Sequence, residues 1–362
     1  MLGGMPVPDS CASKRPAVFG ALLLDAPLAA GYCMPAEWER HHCCWMAWPS
    51  RGDQWADGLT AAQGTYAAIA KAIRRFEPVH MVAEPNGAAD ARALCGPGIN
   101  VIEFPLDDPW MRDTGPTFLS AADGSTCGTV WRFNSWGGKT PDYAENALLA
   151  GRVLGSVGIP QYRSSLCLEG GAIQVDGEGT VITTESVVLN ANRNPGLSKQ
   201  AAERELCAAL GATRVIWLPG DPDGIHTDIT DGHIDGLVAF VKPGVVLFES
   251  NPRATGAALA LAAQNRRALE GALDARGRRL QIIPIDDAHE VVTPHRLFCR
   301  SYVNFYLANG GVVMPSYGVP GDASARAVIA AAFPDREIVQ VDVTHLASGG
   351  GGIHCITQQQ PA

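Results

Sequence analysis

From Tyr32 onward the chain is built of short apolar runs separated by Gly, Pro, Asp and Asn. Over residues 59–76 the positions Ala61, Ala68, Ile69, Ala72, Ile73 and Phe76 recur at helical spacing, and the run stops at Glu77-Pro78. The compact runs 79–83 and 99–104 read as buried strands. A helix over 197–210, ended by Gly211, leads to a strand at 215–218. Residues 236–241 and 245–249 predict a hairpin over Lys242-Pro243-Gly244. A helix over 257–273 and a strand at 280–284 follow. Residues 303–307 and 312–314 repeat the hairpin over Asn309-Gly310-Gly311, ahead of a helix at 323–332 and a strand at 338–341. Strand pairs alternating with single helices predict repeated α/β modules rather than a simple βα barrel, although no clean internal repeat accompanies them.

Residues 1–30 are rich in Pro and Ala, lack a sustained amphipathic period, and are expected to form an N-terminal extension. Their apolar run 17–24 is far short of the about 20 residues needed to cross a bilayer. Lys14 and Arg15 precede it, but Asp25 breaks it, which makes a poor secretory signal. The 362 residues include 40 Gly and 25 Pro, and only 18% are Asp, Glu, Lys or Arg, against about 25% charged in a typical soluble chain. With 46% hydrophobic residues a large core can be buried, which excludes intrinsic disorder. A net charge of −9 argues against nucleic acid as the main partner, because phosphate neutralisation needs clustered Lys and Arg. It leans towards a cationic small ligand. The ten cysteines are scattered without a CxxC pair, a usage suited to a reducing compartment. The expectation is a cytoplasmic protein with reduced thiols and no membrane partner. Length alone suits two domains or one closed multi-module domain.

Three polar clusters interrupt the apolar segments. The first runs from Pro105 to Pro116 and places Asp107, Asp108, Arg112 and Asp113 in one proline-stiffened loop with Trp110. Capping and turn roles suit Asp107 or Asp108 equally. Asp113, beside Trp110 and a Thr-Gly-Pro turn, is better placed to hold a planar cation. The second cluster, Asp221 to Asp235, invites a metal reading. No register of it satisfies an EF-hand, and His226, His233 and Asp235 have no standard zinc spacing. If the segment is a strand, His233 and Asp235 share one side of it, and a histidine beside a carboxylate can act as general acid and base. The third is the tail from Ser348, where four glycines precede His354-Cys355. No Gly-Lys-Ser/Thr follows them, so a phosphate loop is excluded. A cysteine on a glycine-rich turn facing acids and a histidine is a candidate nucleophile, whereas the other nine read as buried thiols. On a strand, His354 would face away from Cys355, and the two are not paired here.

These segments resemble the agmatine deiminase family, a branch of the guanidine-modifying superfamily that also holds bacterial peptidylarginine deiminases. Six stretches carry the likeness in order: MPAEWERHHCCWMAWPS from Met34, DDPWMRDTGPTF from Asp107, LEGGAIQVDGEGTVITTESVVLNANRNPGLSK from Leu168, ITDGHIDG from Ile229, SYVNFYLANGGVVMPSYG from Ser301 and GGGGIHCITQQQP from Gly349. The resemblance implies a five-bladed α/β propeller (pentein fold), with five ββαβ modules about a pseudo-fivefold axis and the site at its centre. It implies one catalytic domain over residues 31–362. By position, Cys355 is implied as nucleophile, His233 as general acid/base, and Asp113 and Asp235 as the guanidinium-binding carboxylates. Trp110, Glu169 and Asn304 match pocket positions. Four departures stand out: Gly352 and Gly236 where Asn is frequent in relatives, Cys43-Cys44 in the first motif, and Thr140 where an aromatic is common.

The residue types suit that chemistry. A guanidinium is planar and delocalised, and two carboxylates can fix its plane through paired N–H···O contacts. Attack by Cys355, loss of ammonia and hydrolysis by water would convert agmatine to N-carbamoylputrescine with no metal or organic cofactor. The expected partner is a small guanidine, and a homo-oligomer is compatible with this reading. Deimination of peptidyl-arginine, amidino transfer to an amine, and a catalytically silent cation-binding propeller are the competing readings.

Overall fold

The computed structural model describes residues 21–23, 25–55, 57–226 and 228–362. The first described elements are β1 (Tyr32–Cys33), β2 (His41–Ala47), helix Leu59–Arg74, β3 (Val79–Ala83), helix Ala88–Cys95 and β4 (Ile99–Glu103). Next come β5 (Thr117–Ala121), β6 (Thr126–Arg132), helix Asn146–Ser156 and β7 (Gln161–Cys167). The order repeats in β8 (Gln174–Val175), β9 (Thr180–Thr184), helix Lys199–Leu210 and β10 (Arg214–Leu218). It repeats again in β11 (Val238–Lys242), β12 (Val245–Ser250), helix Gly256–Gly271 and β13 (Gln281–Asp286). The last group is β14 (Tyr306–Ala308), β15 (Gly311–Ser316), helix Gly321–Ala332 and β16 (Glu337–Asp342), and β17 (Thr357–Pro361) closes the list.

Among the described residues the strands form five sheets: β17-β2-β3-β4, β1-β5-β6-β7, β8-β9-β10, β11-β12-β13 and β14-β15-β16. Each sets an antiparallel pair beside a parallel pair. A helix spans every parallel step, because strands that run the same way need a crossover. In four sheets the antiparallel partner precedes in sequence. In the fifth it is β17, from the far end of the chain, which sets Gln358 opposite Trp45. The α/β modules expected from the alternation are therefore present.

Local chemistry explains the boundaries. Ser198 accepts the Ala201 N–H at 3.2 Å and starts the helix Lys199–Leu210. Gly211 ends it at φ +67°, and a Cβ there would lie 2.1 Å from the Tyr32 carbonyl. Three expected strands differ from those observed. Residues 99–104 were read as buried, yet β4 is a sheet edge with Asn100 and Glu103 exposed. Gly236 belongs to a 3-10 turn, Ile234–Gly236, ahead of β11. Val303 lies outside β14 because the Glu249 carboxylate takes its N–H at 3.1 Å and that of Tyr302 at 2.5 Å.

The described cysteines are all free thiols, while Cys11 lies outside the described residues. So does most of the expected N-terminal extension. Residues 21–23 run along the start of β7, where Leu22 bridges Gln161, and the Leu28 N–H reaches the Ala208 carbonyl. Among the described residues no helix is long and apolar enough to cross a membrane.

One buried polar knot ties the first and last modules. Glu77, 2% exposed, accepts the Tyr306 hydroxyl at 2.6 Å and the Asn309 N–H at 2.8 Å, with His41 Nδ1 3.2 Å away. Removing its carboxylate strands three partners in an apolar setting. Glu77→Ala is expected to cost about 3 kcal/mol of stability, read as a lowered Tm, with Glu77→Gln milder; an unchanged Tm would show that the knot is not needed.

Candidate active site

Every module contributes to one cluster from the same place, the turn just ahead of its first strand. Asp113 sits in the one-turn helix Met111–Thr114 before β5, and Glu169 opens the turn Gly170–Ala172 before β8. His233 and Asp235 flank and enter the turn before β11, and Asn304 precedes β14. Cys355 lies on the turn His354–Ile356 before β17. Placing these groups on short turns that feed buried strands holds them with little freedom.

Two glycine features allow the close approach. A Cβ on Gly171 would stand 2.6 Å from His233 Nδ1, 2.8 Å from Asp113 Oδ1 and 3.0 Å from Asp235 Oδ2. Gly171 thus marks the point where the two carboxylates and the imidazole converge. In the tail, a Cβ on Gly351 would meet the Trp110 ring at 2.4 Å and Cys355 Cβ at 3.2 Å. One on Gly352 would meet Asn304 Oδ1 at 2.5 Å, so the Asn304 amide fills the room that a side chain at 352 would need.

The hydrogen bonds form two layers. Cys355 Sγ lies 3.7 Å from Asp235 Oδ2 and 3.4 Å from Asn304 Oδ1, and the Cys355 N–H donates to Asn304 Oδ1 at 3.3 Å. Asp113 accepts the Trp136 indole N–H at 2.9 Å and the Gly171 N–H at 3.0 Å. His233 Nε2 bonds Glu169 at 3.0 Å, and its Nδ1 is 3.7 Å from Asp113. Behind these, Arg193 donates to Glu169 at 3.0 Å, while His354 bridges Asp235 and Glu37, both at 2.9 Å. Arg112 Nη1 stands 3.5 Å from Glu37. The thiol, His233, Asp235 and Asn304 line a cavity of about 580 Å³.

Charge pairing sets the protonation states. Burial pushes the Asp113 carboxyl up to about 6, with Asp235 and Glu169 adding to it against the pull of His233. Burial opposes the charge on His233, yet Asp113, Glu169 and Asp235 raise it to about 9. Burial likewise opposes the charge on Asp235, but the His354 hydrogen bond holds it below the usual carboxylate range. Glu37 reaches about 2, since His354 and Arg112 outweigh its burial. The Cys355 thiol is pushed well above its ordinary value by burial, then by Asp235, Cys299 and Asp113. At neutral pH the cluster therefore presents a protonated imidazole beside carboxylates and a thiol poised for a cation.

All seven residues expected from the sequence meet here: Cys355, His233, Asp113, Asp235, Trp110, Glu169 and Asn304. The local geometry behind two readings was wrong. His233 and Asp235 do not share a strand face; His233 precedes a 3-10 turn and Asp235 lies within it, and His233 pairs with Glu169 and Asp113 instead. His354 also lies on a turn and bonds the same Asp235 oxygen that Cys355 approaches. Sequence reasoning missed Glu37, Arg112, Trp136 and Arg193. Arg112 alone had a signal, its place among the acids of the first cluster. Among the described residues no three His, Cys, Asp or Glu side chains are grouped to hold a metal ion.

The chain belongs to the Porphyromonas-type peptidyl-arginine deiminase family, which it matches over residues 33–361. It is 42% identical over 364 residues to the agmatine deiminase of Stutzerimonas stutzeri, covering 94% of this chain and 98% of that protein. It is 42% identical over 367 residues to the agmatine deiminase of Pseudomonas aeruginosa, covering 93% and 98%. The solved agmatine deiminase of Enterococcus faecalis superposes with a TM-score of 0.89 at 34% identity, covering 94% of this chain and 99% of that one. The mixed α/β fold is shared with that enzyme.

Gly171→Ala drives a methyl group into three site residues at once. It is expected to lower kcat/KM by about 100-fold, since displacements near 1 Å cost that much. Steady-state kinetics on the folded variant checks this, and wild-type rates would show that the convergence at Gly171 is unimportant.

Proposed function

We propose that this protein is an agmatine deiminase that hydrolyses agmatine to N-carbamoylputrescine and ammonia through a Cys355 amidino-thioether. The observation that carries the reading is the convergence of Asp113, Asp235 and His233 on one point beside the Cys355 thiol. The identity to named agmatine deiminases over most of the chain supports the choice of substrate. The guanidinium is held between Asp113 and Asp235, and Trp110 lies along it. Glu169 and Arg193 orient His233, while Asn304 positions the thiol.

The chemistry follows from the charge states. A free thiol at this site resists ionisation, and the arriving guanidinium offsets the carboxylates that cause the resistance. Cys355 releases its thiol proton to solvent as the cation binds, the thiolate attacks the guanidinium carbon, and the C–N bond to one terminal nitrogen breaks. His233 supplies the proton with which that nitrogen leaves as ammonia. Water enters, gives its proton back to His233 and displaces the sulfur. The ureido product departs and Cys355 regains its proton.

The five sheets support a closed five-bladed propeller, since each repeats one pairing pattern and β17 joins the chain's end to β2. A single catalytic domain from residue 31 fits the same arrangement. A cytoplasmic location and a small-molecule partner complete the reading.

Incubating the chain with agmatine, arginine and an arginine-containing peptide, and scoring ureido product, tests the reading directly. Product is expected from agmatine, and Cys355→Ala is expected to abolish it while agmatine still binds. Turnover by Cys355→Ala, or product from the peptide alone, would overturn the assignment. The pH profile is a separate check. Asp113 must lose its proton to hold a cation, so kcat/KM is expected to rise with pH through about 6. It should fall again through about 9 as His233 loses the proton it delivers. A profile flat across both limbs would contradict these roles.

A further inference from the structure

Asp107 and Asp108 are neighbours in one loop, and the structure separates their roles. Asp107 Oδ2 accepts the Glu145 N–H at 2.7 Å and the Asn146 N–H at 3.2 Å, which caps the helix Asn146–Ser156. Asp108 does no such work. It is 7% exposed, and its Oδ1 is buried without a hydrogen-bond partner. The Tyr66 hydroxyl and the Trp55 indole N–H are buried and unpartnered as well. Native interiors seldom leave one such group without a partner, and three together indicate that something else satisfies them.

These groups border the nucleophile. The Trp110 ring packs against the tail beside Cys355. Its centroid is 5.8 Å from that of Trp55, which is in turn 5.8 Å from Tyr66 in an edge-on contact. The Tyr66 hydroxyl feels the charges of both Asp108 and Cys355. Aromatic walls with one carboxylate suit a primary ammonium on an aliphatic chain: the rings cover the methylenes and face the cation, and the carboxylate takes its N–H groups. The neighbouring cation Arg51 is already engaged by Asp53 at 2.9 Å and Asp142 at 3.7 Å.

We propose that Asp108, with Tyr66, Trp55 and Trp110, seats the terminal ammonium of the substrate and selects guanidines that carry a second cation. The proposal rests on the deiminase reading above. It predicts a preference for agmatine over arginine, because arginine's α-carboxylate would cancel the positive charge that ionises Asp108. Burial lifts the Asp108 carboxyl to about 8, so it holds a proton at neutral pH until a cation arrives beside it. The large cavity offers a rival seat at Asp287, whose Oδ1 is buried without a hydrogen bond, although His289 Nδ1 lies 3.5 Å from it and Arg296 and Arg300 line the same cavity.

The test compares kcat/KM for agmatine and for pentylguanidine, which replaces the ammonium by a methyl group. In Asp108→Asn the agmatine-to-pentylguanidine ratio is expected to fall about 30-fold, the size of a lost buried charge contact. Tyr66→Phe is expected to lower the same ratio about fivefold, and it serves if Asp108→Asn does not fold. An unchanged ratio in both variants, or a fall confined to Asp287→Asn, overturns the proposal while the deiminase reading stands. A wild-type chain that turns over neither guanidine overturns that reading and this one with it.

Discussion

The site depends on carboxylates buried against one another, each of which needs a cation to stay charged. Glu37, Asp113, Glu169 and Asp235 are all buried. Arg112, Arg193, His233 and His354 face them through direct contacts. The two sets match one for one when both histidines are protonated. On the proposed reading, a guanidinium held by Asp113 and Asp235 brings one positive charge beyond that balance, and ionising Cys355 would offset it. The same balance raises the resting thiol, and on the proposed reading its ionisation would accompany substrate binding. Charge neutrality, more than any single hydrogen bond, links recognition to reactivity here.

That balance demands a particular scaffold. Buried ions tolerate little displacement, because an unpaired charge in a low-dielectric setting is costly. Repeated ββαβ modules meet the demand by offering the same kind of position, a turn ahead of a first strand, from several directions. Each turn carries one or two polar side chains while the strand behind it stays apolar. The pairing of β17 with β2 places the Cys355 turn beside residues from the opposite end of the chain. Glycines at 171, 351 and 352 then let these turns approach more closely than any side chain would permit.

Much of this was legible before the structure. Apolar spacing located four helices and both hairpins within a few residues, since burying one face is a local constraint written in the sequence, but it gave no sign of Ala88–Cys95 or Asn146–Ser156. Asp113, His233, Asp235 and Cys355 stood out as acids, His and Cys in segments too apolar to hold them idly, whereas Glu169 and Asn304 came from the family resemblance alone. The errors were also local. Strand geometry was assumed around His233 and His354, where 3-10 turns occur, because turn type depends on what the backbone packs against. Residues 99–104 were apolar enough for a buried strand and nevertheless became an edge.

The sequence by itself determined the module pattern, the clusters of candidate residues and the sparse, acidic character of the segments that carry them. Those follow from residue type and from periodicities shorter than about 4 residues. Only the tertiary structure decided the partnerships: Arg193 with Glu169, Arg112 and His354 with Glu37, Trp136 with Asp113, and Asp107 apart from Asp108. Pairings of that kind join positions far apart in the chain. They are settled by which buried charge lacks a counterion once the sheets have assembled, and no local pattern records that.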